Sequence, residues 1–292
     1  MRVIIAILFI ISINSQAQII NASQPYRQQV ASCSYLLDQY PNAAAAYSLR
    51  KLDCDYTGSA IRVRRSSDNS EQDIGFTGAG DLDTASLKSF VGSDSGLVVK
   101  AYNQGTGGST YDAVQSTKEY QPIIAIGGVI QRKNTKPSMY SDGYRYLTVT
   151  LASTLSQPNS FFIAGSYSGE DDRHLTDGVG INPAYRNAIG AYSGLVLYGG
   201  SILTFGSNTT NFALYTALFN GSSSKVQRNN AGTVTGNAGG KALSSFNIGK
   251  GVGLDFKNAI IGYISEFIVY NSDKSSDFSN INSVINSYYS IY

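Results

Sequence analysis

Tryptophan is absent from the chain, histidine occurs once, and cysteine and methionine occur twice each in 292 residues. The single histidine, His174, excludes a metal site built from several imidazoles. Any Ser-His-Asp arrangement would also have to be built on it, and no Gly-x-Ser-x-Gly elbow occurs. Charge is scarce as well. Only 14% of residues are charged, and 22 basic against 20 acidic residues leave a net charge of +2. Nucleic acid binding, which draws on a concentrated basic face, therefore has no electrostatic case. Residues 178–254 contain no Asp or Glu at all. Long apolar runs are missing too. The run from Val3 to Ile11 is far short of the ~20 residues that a bilayer-spanning helix needs, so no membrane insertion is expected. At 42% hydrophobic residues, the chain is nonetheless too apolar for disorder.

What is present is glycine, 30 of them, and tyrosine, 21. This composition favours many short strands joined by turns over a helical bundle. Arg2, the apolar run Val3–Ile11 and small residues at Ser15 and Ala17 have the layout of a signal peptide over residues 1–17, with Gln18 as the mature N-terminus. Export, to a periplasmic, cell-surface or secreted location, then makes Cys33 and Cys54 a disulfide pair. Residues 18–34 are polar and aperiodic, and are expected to form an N-terminal arm ahead of a single domain over 35–292.

Within that domain the expected strands include 60–65, 72–76, 97–102, 122–126, 144–150, 161–167, 188–192, 195–198, 212–220, 225–229, 246–249 and 260–270. Asp83 is placed to cap a helix running to Val91, with Gly92 ending it. Phe278, Ile281, Ile285 and Tyr288 recur at helical spacing and predict a C-terminal helix packed on the sheets. A dozen short strands without long helices between them predict an all-β, two-sheet sandwich.

Three groups of residues have the chemistry for a site. Residues 169–178 are the most acidic stretch and read as a solvated loop between strands. A calcium site and a glycosidase carboxylate are the sharper alternatives. Arg62, Arg64 and Arg65 alternate with Ile61 and Val63, which reads as an outward strand face more readily than as an anion site. The tyrosines are too many to lie all in the core. Most suit cross-strand packing, and a few, among them Tyr102, Tyr167 and Tyr192, suit stacking on a sugar.

A resemblance sharpens this reading. Residues 46–52 (AYSLRKL), 56–69 (YTGSAIRVRRSSDN), 72–76 (QDIGF) and 82–87 (LDTASL) resemble the opening of the arabinofuranosidase B catalytic domain. They also resemble many exported bacterial proteins and bacteriophage tail or fibre proteins. Ala101-Tyr102-Asn103-Gln104-Gly105 followed by Asp112-Ala113-Val114-Gln115 is similar to that family's Tyr-Asp-Gln-Ser-Gly…Ala-Thr-Gln stretch, with Asn103 in place of the usual Asp. Residues 212–221, 262–271 and 285–292 resemble the closing strands and terminal helix of a laminin-G-like module. The resemblance implies a concanavalin A-like jelly roll over about residues 35–292.

It also implies site residues. Ser168-Gly169-Glu170 stands where those enzymes carry a Gly-Asn-Ala-Glu nucleophile, making Glu170 the candidate catalytic residue. Their Asp general acid falls in a later segment, which here is the stretch without carboxylates. The other carboxylates available to it are Asp171, Asp172, Asp177, Asp255, Glu266 and those of the N-terminal half. Tyr102, Asn103, Gln104, Tyr167, Asp171, Asp172 and Tyr192 are the expected ligand contacts. The expected function is a non-catalytic, lectin-like or surface-attachment protein whose partner is a glycan or cell-surface polysaccharide. An arabinofuranosidase-like hydrolase and a fibre subunit are the alternatives. No cofactor is implied beyond the open question of calcium, and a homo-oligomer stays open.

Overall fold

The computed structural model describes residues 33–167, 173–179, 188–191, 194–207, 209–252 and 259–292. The compact unit they form is Ser34–Tyr292. Ahead of it only Cys33 is described. Both Cys33 and Cys54 are disulfide-bonded, and neither is free.

The chain is an all-β sandwich with antiparallel pairing throughout its main ladder. In the first sheet, Val234–Gly236, Ser224–Arg228, Ala213–Phe219, Asn159–Tyr167 and Ile261–Tyr270 follow one another. The long strand Ile261–Tyr270 then pairs with two partners end to end: Ala43–Ser48 along its second half and Met139–Asp142 along its first. In the second sheet the order is Ile202–Gly206, Leu195–Tyr198, Ala188–Ala191, His174–Gly178, Phe246–Ile248, Leu147–Val149 and Ala113–Val114.

The two sheets are joined at one strand, Gly96–Ala101. Its beginning pairs with Ile123–Ile126, which leads through Met139–Asp142 into the first sheet. Its end pairs with Ala113–Val114, which leads into the second. On its other side lie Ile61–Arg65 and then Glu71–Ile74. Helix α1 is Leu36–Gln39, α2 is Thr84–Val91 and α3 is Phe278–Tyr289. None of the described helices is long and apolar enough to cross a membrane.

The central strands are nearly continuous apolar runs, such as FFIAGSY and ALYTALF, because both their faces are covered. Period-2 alternation sends Phe161, Ile163, Tyr215, Ala217, Phe267 and Val269 into the space between the sheets. There the Phe267 ring stacks on Phe246 of the opposite sheet, with centroids 5.5 Å apart. Phe162, Ala164, Leu214, Leu218, Ile268 and Tyr270 point the other way into a second core, which α1 and α3 close with Leu36, Phe278, Ile281 and Ile285. Gly262 permits the closest approach between the two longest strands, since a Cβ there would lie 1.9 Å from the Ser166 carbonyl oxygen.

Three expectations need correction. Ala43–Ser48 and Met139–Asp142 are strands that the expected set did not include. His174–Gly178 is also a strand, buried along its length, rather than a solvated loop. The third concerns the three arginines, which do not share one outward face. Arg62 and Arg65 are surface residues paired with Asp73 and Asp68, whereas Arg64 is buried.

Candidate functional site

Glu170, Asp171, Asp172 and Tyr192, the expected nucleophile and three expected ligand contacts, lie outside the described residues, as does Asp255. The structure does describe the strands that lead to and from them. Tyr167 ends Asn159–Tyr167 immediately before the 168–172 segment, and His174 opens the next strand.

Tyr167 was expected at the ligand, but its ring is fully buried between the sheets. Its parity explains this, because it falls on the same face as Phe161 and Ile163, beside the Tyr215 ring at 6.2 Å. Neither hydroxyl has a hydrogen-bond partner among the described residues. Burial pushes both hydroxyl pKa values well up, so both stay protonated at neutral pH.

Asn103 and Gln104 are likewise structural. After Ala101 the chain runs alongside Ala43–Ser48 as an irregular strand. Gln104 donates its N–H to the Ala46 carbonyl at 2.8 Å, and Thr106 donates to the Ala43 carbonyl at 2.8 Å. Asn103 Oδ1 accepts from the Ala46 and Gly105 amides at 2.8 and 2.9 Å. Gln104 Oε1 accepts from the Leu52 amide at 2.8 Å, while its Nε2 donates to the Ser48 and Arg50 carbonyls at 3.2 and 3.0 Å. Both amides thus satisfy backbone that has no ladder partner. Replacing Gln104 with Ala orphans one N–H and two carbonyls, each costing about 1–3 kcal/mol. The expected loss is about 3 kcal/mol or more in urea unfolding, with glycan binding by the folded fraction unchanged.

Tyr102 alone among the described expected contacts keeps an open ring. Its hydroxyl donates to Asp73 Oδ1 at 2.8 Å, and Lys100 Nζ sits 5.0 Å from the ring centroid. Burial and then the hydrogen bond to Asp73 push its pKa up to about 12.

No sequence pattern pointed to a pair within the His174–Gly178 strand. His174 Nδ1 lies 2.8 Å from Asp177 Oδ2, which also accepts from the Val252 amide, while Oδ1 accepts from the Gly178 amide. Residues three apart in a regular strand point to opposite faces. Here a bulge between His174 and Thr176 brings both side chains to one side. Gly190, opposite in register, leaves room for the imidazole, because a Cβ there would lie 2.3 Å from His174 Cδ2. An imidazole fixed through Nδ1 has its Nε2 available as a directed hydrogen-bonding group. The pair stands next to the acidic 169–172 segment along the chain.

Glu266, another carboxylate considered for acid catalysis, is unavailable. It is 1% exposed, faces α3 rather than the space between the sheets, and forms a two-pronged ion pair with Arg50.

No protein-family model matches the chain, and no curated protein matches it. Solved structures do. Its fold is similar to an arabinofuranosidase complexed with arabinofuranosyl-α-1,2-xylobiose, at 15% identity and a TM-score of 0.63. It is similar also to a GH54 α-L-arabinofuranosidase soaked with a cyclic sulfate inhibitor, at 13% and 0.64. A Glu-to-Gln mutant of a GH54 α-L-arabinofuranosidase, soaked with 4-nitrophenyl α-L-arabinofuranoside, gives 14% and 0.66. The likeness is one of fold. Each match covers 85% of this chain and 63% of the other, so the chain spans less than two thirds of those structures.

Proposed function

We propose that the chain is an exported, non-catalytic, lectin-like sandwich that binds a glycan or cell-surface polysaccharide. Residues 1–17 are its signal peptide in this reading, and Tyr102, Asp171, Asp172 and Tyr192 are among its contacts. The observation that carries it is the fold's likeness to structures that hold arabinose-bearing ligands. Support for binding over hydrolysis comes from the carboxylates. Retaining and inverting glycosidases ordinarily need two carboxyl groups across the scissile bond. Of those that could assist Glu170, Asp177 is committed to His174 and Glu266 to Arg50. The disulfide fits an oxidising compartment.

A hydrolase built on Glu170 is the second reading, and the same fold likeness favours it. A glycan array separates binding from silence. Saturable binding to one sugar class is the expected outcome, and binding to none would overturn the proposal.

A further inference from the structure

Arg64 is 8% exposed and has no carboxylate partner among the described residues. Its neighbours on the same strand are different, since Arg62 and Arg65 each hold an aspartate at 2.7 and 2.6 Å. Three neutral oxygens meet Arg64 instead: Gln121 Oε1 at 2.8 Å, Asn69 Oδ1 at 3.0 Å and the Lys118 carbonyl at 3.4 Å. A guanidinium has five N–H donors, so about two remain for a further acceptor.

Gln121 also brings up a second guanidinium. Its carbonyl accepts from Arg145 Nη1 at 2.8 Å, and Arg145 Nε donates to Asp142 Oδ2 at 2.9 Å. Arg64 and Arg145 line one open groove of about 510 Å³, with Lys118 and Glu119 at its rim and Leu97 and Ile123 on its floor. The register explains the floor, because Arg64, Leu97 and Ile123 follow one another across three paired strands.

A buried cation is costly unless an anion or a full set of hydrogen bonds compensates it. Burial acts to lower the Arg64 pKa, Glu119 and Glu71 oppose this, and the like charge of Arg145 adds to it, leaving the net direction down. A planar fork with free donors is matched best by a carboxylate or sulfate. The apolar floor calls for a ligand with a body behind its charge.

We infer that this groove is an anion-recognising subsite for an acidic sugar, with Arg64, Arg145 and Lys118 holding the carboxylate or sulfate and Leu97 and Ile123 packing against the sugar ring. The sugar body rests on the glycan reading above. The anion does not.

The test uses calorimetric titration of the full chain with a uronate trisaccharide, a sulfated trisaccharide, their neutral counterpart and inorganic sulfate. At least one acidic trisaccharide is expected to bind about tenfold or more tightly than the neutral one. The uronate and sulfated arms identify which anion is preferred. Arg64→Lys keeps the charge but loses the fork, and should weaken acidic binding about tenfold. Because Arg64 also holds the Gln121 loop, two exposed variants guard against misfolding. Lys118→Gln should weaken acidic binding about threefold and Glu119→Gln should strengthen it by a similar factor, with neutral-sugar binding unmoved. Equal binding of acidic and neutral sugars, insensitive to Lys118 and Glu119, would overturn this inference and leave the glycan reading standing. Sulfate that binds and follows both variants, while no trisaccharide binds, would overturn the acidic-sugar assignment and the glycan reading together.

Discussion

Glu266→Gln should cost about 3–5 kcal/mol of folding stability, because it strands a buried arginine. Glu266 Oε2 and Oε1 accept from Arg50 Nε and Nη2 at 2.7 and 2.9 Å, and Oε2 also accepts from Ser48 Oγ at 2.8 Å. Arg50 lies over the Tyr288 ring at 4.6 Å and the Tyr289 ring at 5.6 Å, so α3 seals the pair from water. Burial works against the Arg50 charge, but the attraction and hydrogen bonds of Glu266 outweigh it and raise its pKa. In a domain of this size the loss corresponds to a fall in Tm of roughly 6–20 °C. The pair itself need not be stabilising relative to apolar residues. The double variant Arg50→Met with Glu266→Leu is therefore expected to recover most of the loss. A single-variant loss below about 1 kcal/mol in thermal unfolding would mean that water reaches the pair.

Raising the pH through about 10–12 should unfold the domain in one cooperative step. Tyr47, Tyr167, Tyr215, Tyr270, Tyr288 and Tyr289 are all driven upward in pKa chiefly by burial. Tyr56, also through burial first, is pushed up to about 12. The sign follows from the protons bound. An unfolded tyrosine ionises near 10 while the folded one keeps its proton, so this stability is intact below about pH 10 and is lost as the pH climbs toward the folded pKa. Each buried hydroxyl contributes a slope of about 1.4 kcal/mol per pH unit. Six together exhaust a typical domain stability of about 5–15 kcal/mol within roughly one to two units. Tyrosinate absorbance and circular dichroism should therefore change together. Tyrosines that ionised one by one near pH 10, with the sheet signal retained, would contradict this burial. On the acid side the effect runs the other way. Asp73 and Asp81 are held below the usual carboxylate range, by hydrogen bonds first from Arg62 and from Tyr288 respectively. Their contribution is present above about pH 4 and fades as the pH falls.

The strands that were legible in the sequence are those whose own pattern settles the matter. Leu195–Tyr198 has the bounds its apolar run predicts, and Asp83 does cap α2, accepting from the Ser86 amide at 2.9 Å. Ala43–Ser48 was hidden because a run of alanines favours a helix locally, and only its pairing with Phe267 and Ile268 makes it a strand. His174–Gly178 was hidden for a related reason. Its polar side chains look like a loop until Asn247 and Val252, more than seventy residues on, supply their partners.

The candidate site divides in the same way. The burial of Tyr167 was legible in principle, since alternation from Phe161 and Ile163 puts it inward. The role of Gln104 was not, because its side-chain partners lie on Ser48 to Leu52, more than fifty residues back, and Asn103 joins its own loop to the equally distant Ala46. Arg64 shows the limit most clearly. Its strand pattern matches that of Arg62, and what separates them is the Lys118–Gln121 segment folded over one and not the other.

Glycan binding without hydrolysis is the central claim. The measurement that tests it most directly is titration of the full chain with arabinose-bearing oligosaccharides, with product release followed in the same samples and in Glu170→Gln. Saturable binding with no product in either protein is the predicted result. Product formed by the natural chain and lost in Glu170→Gln would contradict it and make Glu170 a nucleophile.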